Sequence, residues 1–230
     1  MECVDPPQKE PYHGQTYPVE EAQKILALVS ETIHEIPITM MLLYGLRREE
    51  ASGLKWRNID FENDTFLIAH TVTETSVDGH LQALKEDLTK NSSSYRTLPL
   101  VAPIKALLEE KKRSISEYRK LFKKGYCHED SDYVCVNEIG ELIKPRLLSD
   151  NFKRLIKNNN MHNLRLYDCR HTAASIMLKN GVSMKQIQII LGHNDYSTTA
   201  NIYSHLDYSD KIPATETMKE IIYGKDDEAN

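Results

Sequence analysis

Between Asp60 and Leu100 the apolar residues change their spacing, and that change most limits what this chain can become. Before it the period is helical. Pro18 opens a helix with Glu20 and Glu21 in its first turn and Ala22, Ile25, Leu26, Leu28 and Val29 on its apolar side. A second helix is predicted over about Pro37 to Tyr44, Gly45 breaks it, and "RREEASGLKW" restarts a short helical turn ending near Gly53. Then "TFLIAHTVT" and "RTLPL" read as β-rich runs, with the turn-like "VDGH" and the polar "TKNSSSY" between them, which predicts a small antiparallel sheet. Helix returns from Ile104 to Phe122, again near Leu148 to Lys157 after "DYVCVN" and a turn at "EIGE", and beyond Tyr167. Asn180-Gly181 ends one late helix, Ser183 caps the next, and Gly192 ends that one. The expected fold class is mainly α with one small antiparallel β-sheet, an α+β domain in which Trp56 and the neighbouring leucines belong to the core.

With 230 residues the chain is long enough for one sizeable core. No run of about 18 apolar residues is available for a membrane span, and "MECVDPPQKEPYHG" lacks the basic-then-apolar order of a secretory signal, so no membrane partner and a cytoplasmic address are expected. Cys3, Cys127, Cys135 and Cys169 form no C-x-x-C pair and no zinc-ligand spacing, so reduced thiols and no metal are expected. The net charge of -5 hides an asymmetry. Residues 144 to 190 hold 9 Lys and Arg against 2 Asp, whereas residues 1 to 40 hold 2 basic against 7 acidic and residues 207 to 230 hold 3 against 7. Acidic ends around a basic middle suit a polyanion bound over one face.

Attack on a DNA phosphodiester without a metal needs a nucleophile, cations on the non-bridging oxygens, a hydrogen-bond donor beside them, and an acid for the departing sugar oxygen. Candidates for each are present. Arg47 follows the helix break at Gly45, where a guanidinium fork reaches phosphate, and Glu50 lies three residues on, within range to hold it. Lys90 sits at a predicted strand end or hairpin tip, and its compact ammonium suits proton delivery. Arg170 falls in the first turn of a helix, His193 just beyond a helix end, and Tyr203 ten residues later. Taken singly, each has an ordinary reading: a tyrosine packed on a helix, a surface ion pair, a solvated lysine, a histidine capping a helix dipole.

Taken together, "GLRREEASGLKWRNID", "TKNSSSYRTLPL", "YVCVNEIGELIKP", "YDCRHTAAS" and "LGHNDYSTTANIYSHL" occur in an order and spacing that resembles the catalytic domain of tyrosine recombinases, the integrases of phages and conjugative transposons. The resemblance spans about Pro18 to Leu206. It implies that Arg47 and Arg170 are the two phosphate-binding arginines, Glu50 the supporting acid, Lys90 the hairpin lysine, His193 the second histidine and Tyr203 the nucleophile. It further implies a 3′-phosphotyrosyl intermediate with a free 5′-hydroxyl, no cofactor, and double-stranded DNA and a homo-oligomer, a tetramer on DNA, as partners. Residues 18–206 then form the catalytic domain, 1–17 an arm or linker remnant, and 207–230 a C-terminal helix and acidic tail, with Met218, Ile221 and Ile222 on one face for a neighbouring subunit. The amino-terminal DNA-clamping domain that usually accompanies such a domain has no room before Pro18, so the chain is expected to be either a fragment of a longer integrase or a reduced form, with weak DNA affinity in isolation.

One position departs from the pattern. Where the family usually has histidine three residues before the second arginine, this chain has Tyr167, a phenol that gives one hydrogen bond but carries no positive charge at neutral pH. His171 is a poor substitute, because adjacent helix residues diverge by about 100° and it is expected to face away from Arg170. Two other classes compete with a recombinase. The helices joined by "KNGVS" imitate a helix-turn-helix of a non-catalytic regulator, and a type IB topoisomerase uses similar chemistry to relax DNA.

Overall fold

The computed structural model describes residues 16–89 and 92–193. Among these residues, three helices come first: α1 (Val19–Val29), α2 (Glu35–Tyr44) and the single turn α3 (Arg48–Ser52). Five strands follow, β1 (Ile59–Asp60), β2 (Thr65–Ile68), β3 (His70–Val77), β4 (His80–Asp87) and β5 (Arg96–Pro99). The chain then returns to helix in α4 (Ala102–Phe122), α5 (Pro145–Asn158), α6 (Asp168–Lys179) and α7 (Met184–Leu191). This is the expected α+β class, with helix boundaries within a few residues of those read from the sequence.

The β region holds two sheets where the sequence suggested one. β1, β2 and β5 form an antiparallel sheet in the order β1-β2-β5, and β3 pairs only with β4 as a separate ribbon. The run "TFLIAHTVT" therefore divides at Ala69 between the two. His80–Asp87, rich in helix-forming Leu, Gln, Ala, Lys and Glu, is a strand because the two-residue turn before it dictates pairing. Asp78 (φ 51°) and Gly79 (φ 79°) both have positive φ, as a turn of type I′ requires, and the ladder closes on Val77↔His80. At its other end the ribbon is anchored by His70. One ring nitrogen lies 2.6 Å from the Asp87 carboxylate and the other 2.9 Å from the Tyr133 hydroxyl.

α2 is apolar around most of its circumference, and Ile36, Ile38, Met40, Met41 and Leu42 are all buried, as befits a helix enclosed by others. α1, α3 and α6 pack against it. α5 shows the opposite pattern, an amphipathic helix whose Leu148, Phe152 and Ile156, four residues apart, are buried in the same core. Each such side chain contributes about 1.5–3 kcal/mol on burial. Trp56 packs against the core and Leu54 lies within it. The first described turn is fastened to α6 by the Tyr17 amide, which donates to Thr172 Oγ1 at 2.9 Å. No described helix is long and apolar enough to cross a membrane.

Candidate active site

The site begins where α2 ends. Gly45 has φ +64°, a left-handed cap, and a Cβ there would stand 2.2 Å from Leu191 Cδ2, so only glycine lets α7 close against this turn. Arg47 follows in extended conformation as the residue capping α3. Its amide donates to Glu50 Oε2 at 2.8 Å and its Nη1 to Glu50 Oε1 at 2.7 Å, so the three-residue spacing of arginine and acid works as read from the sequence. The same Nη1 donates to Ser94 Oγ at 3.1 Å and Nη2 to the Gly192 carbonyl at 3.0 Å. With its side chain 29% exposed, Arg47 still faces solvent; Glu50, at 1%, does not.

Arg170 comes from the first turn of α6 and is wholly buried. Its Nη1 donates to the Gly45 carbonyl and its Nη2 to the Leu191 carbonyl at 2.9 Å. Burial and the nearby Arg47 push its pKa down, yet a guanidinium stays charged at neutral pH. A third guanidinium completes the cluster. Arg96, buried at the start of β5, forks across both Glu50 oxygens at 3.0 Å each and donates from Nε to the Ile190 carbonyl at 2.6 Å.

Three successive carbonyls at the carboxyl end of α7 are thus taken by three arginines: Ile190 by Arg96, Leu191 by Arg170 and Gly192 by Arg47. The negative end of a helix dipole and its unpaired carbonyls are natural acceptors for cations, but they carry no full charge. Glu50 is the one carboxylate hydrogen-bonded to these guanidiniums among the described residues. Burial would raise its pKa, but the Arg96 hydrogen bonds and charge, followed by Arg47, more than reverse that and keep it ionised. The surplus of positive charge suits an oxyanion.

His193 is buried and directly follows Gly192, which is left-handed at φ +70° and ends α7. Burial, reinforced by Arg170 and Arg47, pushes its imidazole down to about 3, so the ring is neutral at physiological pH and carries one N–H. Tyr167 stands at the amino end of α6, 42% exposed, close enough to Arg170 for the two to interact electrostatically. The His171 ring meets Tyr167 edge-on with centroids 5.0 Å apart, and burial lowers its pKa. Lys90 and Tyr203 lie outside the described residues, as does the helix expected around Met218, Ile221 and Ile222. The ribbon's tip is at Asp78-Gly79, and Lys90 follows β4 in sequence.

Sequence reasoning passes over Arg96. Strand alternation holds the clue, since in "RTLPL" the residues two apart, Arg96 and Leu98, share the buried face, and a buried arginine demands a partner. α6 and α7, joined at Asn180 to Ser183, do form two helices in succession, but the end of α7 is committed to the arginine cluster.

Comparison with known proteins identifies the family and the fold. The chain is 27% identical over 214 residues to a tyrosine recombinase XerC-like protein of Caldanaerobacter subterraneus, covering 90% of this chain and 54% of that protein. It is 26% identical over 201 residues to the transposase of transposon Tn916 from Enterococcus faecalis, covering 81% of this chain and 46% of the transposase. The chain therefore spans about half the length of the curated relatives it matches. In fold it is similar to the Tn1549 transposon integrase solved with transposon right-end DNA, at a TM-score of 0.72 and 20% identity over 92% of this chain and 67% of that one. XerA recombinase matches at 0.62 and 19% identity over 94% of this chain and 67% of that one. The profile of the phage integrase family matches residues 16–210, and this chain belongs to that family.

Proposed function

We propose that this chain is the catalytic domain of a site-specific DNA recombinase that breaks and rejoins strands through a tyrosine-linked intermediate. The observation that carries the reading is the set of three guanidiniums tied to consecutive α7 carbonyls with a single carboxylate among them. Such a site has charge to spare for a phosphodiester. Arg47 and Arg170 hold its non-bridging oxygens and His193 donates to one of them. Tyr203 gives up its phenolic proton to solvent water and its oxygen forms the new O–P bond while the P–O5′ bond breaks, and Lys90 protonates the departing 5′-oxygen. Tyr167 adds a second neutral donor beside Arg170. The ester energy is conserved in the phosphotyrosyl link, so rejoining to another strand needs no nucleotide cofactor.

The double helix lies along the basic middle of the chain. Of the nine Lys and Arg between residues 144 and 190, all except Arg170 are exposed. Arg48, Lys153 and Arg165 line a cleft of about 580 Å³ with Tyr167, where these three cations outnumber the two acids, Glu49 and Asp150. Residues 18–206 act as the catalytic unit, 1–17 as an arm, and 207–230 as a docking helix and tail in a homotetramer assembled on DNA in the cytoplasm.

The test is a nicked suicide substrate made from the ends of the parent element. Wild-type chain leaves a protease-sensitive covalent band, and Tyr203→Phe abolishes that band with DNA binding nearly intact. A Tyr203→Phe chain that still forms the adduct would overturn the assignment. Relaxation of supercoils without site preference would point instead to a topoisomerase.

A further inference from the structure

Arg96 is built into the site in a way that a phosphate ligand would not be. Its Nε donates to the Ile190 carbonyl at 2.6 Å, Nη1 to Glu50 Oε1 at 3.0 Å and to the Ser94 carbonyl at 2.9 Å, and Nη2 to Glu50 Oε2 at 3.0 Å. Four of the five N–H groups of a guanidinium are thereby consumed inside the protein, whereas Arg170 spends two on carbonyls. Little of it remains for DNA.

Its effect falls on its neighbours. Glu50 also receives Arg47, through the amide at 2.8 Å and Nη1 at 2.7 Å. A buried carboxylate with Arg47 as its only cation would form a neutral pair and compete with phosphate for that guanidinium. By forking across both Glu50 oxygens, Arg96 fixes the plane of the carboxylate and takes a share of its charge, so that Arg47 is held in place without being neutralised. The other end of Arg96 grips the last turn of α7. A Cβ on Gly192 would come within 2.9 Å of Arg96 Nη1 and of the Ser93 carbonyl, so the chain entering His193 is pressed directly against this guanidinium. Strand β5, the α3 cap and the α7 terminus, three elements far apart in sequence, meet at one side chain.

We propose that Arg96 is a positioning residue for strand cleavage: it locks Glu50 and the Ile190–His193 turn so that Arg47 and His193 converge on one phosphate. This rests on the recombinase reading above and adds a residue to its machinery. The ordinary alternative is a buried ion pair that serves stability alone.

Arg96→Gln and Arg96→Lys, made in the full chain, separate the two. Single-turnover adduct formation at saturating DNA is expected to slow by about 100-fold, the usual cost of displacing a reacting group by about 1 Å, while DNA binding changes less than about 3-fold. Lysine does not rescue, because an ammonium cannot span both Glu50 oxygens. In an Arg47→Ala background the Arg96→Gln change costs less than it does in the parent chain, since its route through Glu50 and Arg47 is already gone and only the route through the Ile190–His193 turn remains. On DNA carrying a methyl group in place of one non-bridging oxygen at the scissile phosphorus, a neutral centre with less need of Arg47, the Arg96→Gln penalty shrinks. Cleavage by Arg96→Gln at the wild-type rate overturns the proposal. So does an unchanged penalty on the methylated substrate, or independent, multiplicative losses in the double variant. Failure of both variants to fold assigns Arg96 to stability and overturns it as well. If Arg47→Ala alone cleaves normally, the recombinase reading itself is at fault.

Discussion

Tyr167 occupies the position where histidine is usual in the family, and its surroundings say what that exchange does. The phenol stands beside Arg170 and against the His171 ring, 42% exposed, so it offers a hydrogen bond and brings no charge. A histidine there has room and a partner, and Tyr167→His is expected to retain or raise the rate of adduct formation. Complete loss in a single-turnover assay would mean that the phenol does something an imidazole cannot. A second expectation concerns pH. His34, His70, His171 and His193 are all pushed below their ordinary value, by burial first in each case, and His193 reaches about 3. The unfolded chain therefore takes up protons near 6.5 that the folded chain refuses. Their contribution to stability is complete above about pH 6.5 and declines as the pH falls from there towards 3, with Glu50, depressed as well, acting in the same direction. The melting temperature should drop between pH 7 and pH 5; a flat or rising profile by calorimetry would contradict this assignment. Arg47 and Glu50 are legible in the sequence because a helix-capping residue and the acid three positions on are brought together at the helix start. Arg96 is not, because its partners are 46 and 94 residues away.

Among the elements, α7 does more than its eight residues suggest. Ser183 caps it through a reciprocal pair with Gln186, Ile187 and Leu191 are buried, and its last carbonyls organise the arginines. The whole device depends on α7 approaching the α2–α3 turn at Gly45. Gly45→Ala places a methyl group 2.2 Å from Leu191 Cδ2 on a backbone at φ +64°. We expect a loss of roughly 1–3 kcal/mol in urea unfolding from the left-handed conformation and overpacking combined, together with slower cleavage. Equal stability of the variant and the parent would show that α7 does not need this contact. The strands show how local preference can be overruled. The Asp78-Gly79 turn is recognisable from composition, yet its return strand "HLQALKED" has a helix-former's sequence and becomes β through pairing with β3.

Over the whole molecule, charge separates the functional face from the rest better than the total of -5 does. The exposed cations of residues 144 to 190 contrast with buried Arg96 and Arg170 and with Arg47, whose side chain is 29% exposed, and the proposed function assigns DNA-backbone contacts to the exposed group and chemistry to the site. Lys153, exposed and on the cleft that contains Tyr167, belongs to the first group. Lys153→Gln should weaken DNA binding alike on all sequences and lower the slope of log affinity against log salt by about 1, without altering the rate of cleavage once DNA is saturating. An unchanged salt slope in a fluorescence titration would remove Lys153 from the DNA track.

What the sequence determined alone was whatever depends on near neighbours: the helical periods of α1, α4 and α5, the caps at Gly45, Ser183 and Gly192, the Asp-Gly turn, and the Arg47–Glu50 pair. Its ordered motifs also carried the family. Only the tertiary structure decided that one β-rich run serves two sheets, that Arg96 joins Glu50 to α7, and that three arginines share one helix end. The division has a single cause. Periods, caps and turns are settled by side chains within about four positions of one another, whereas a buried charge must find its counterion wherever packing has left one.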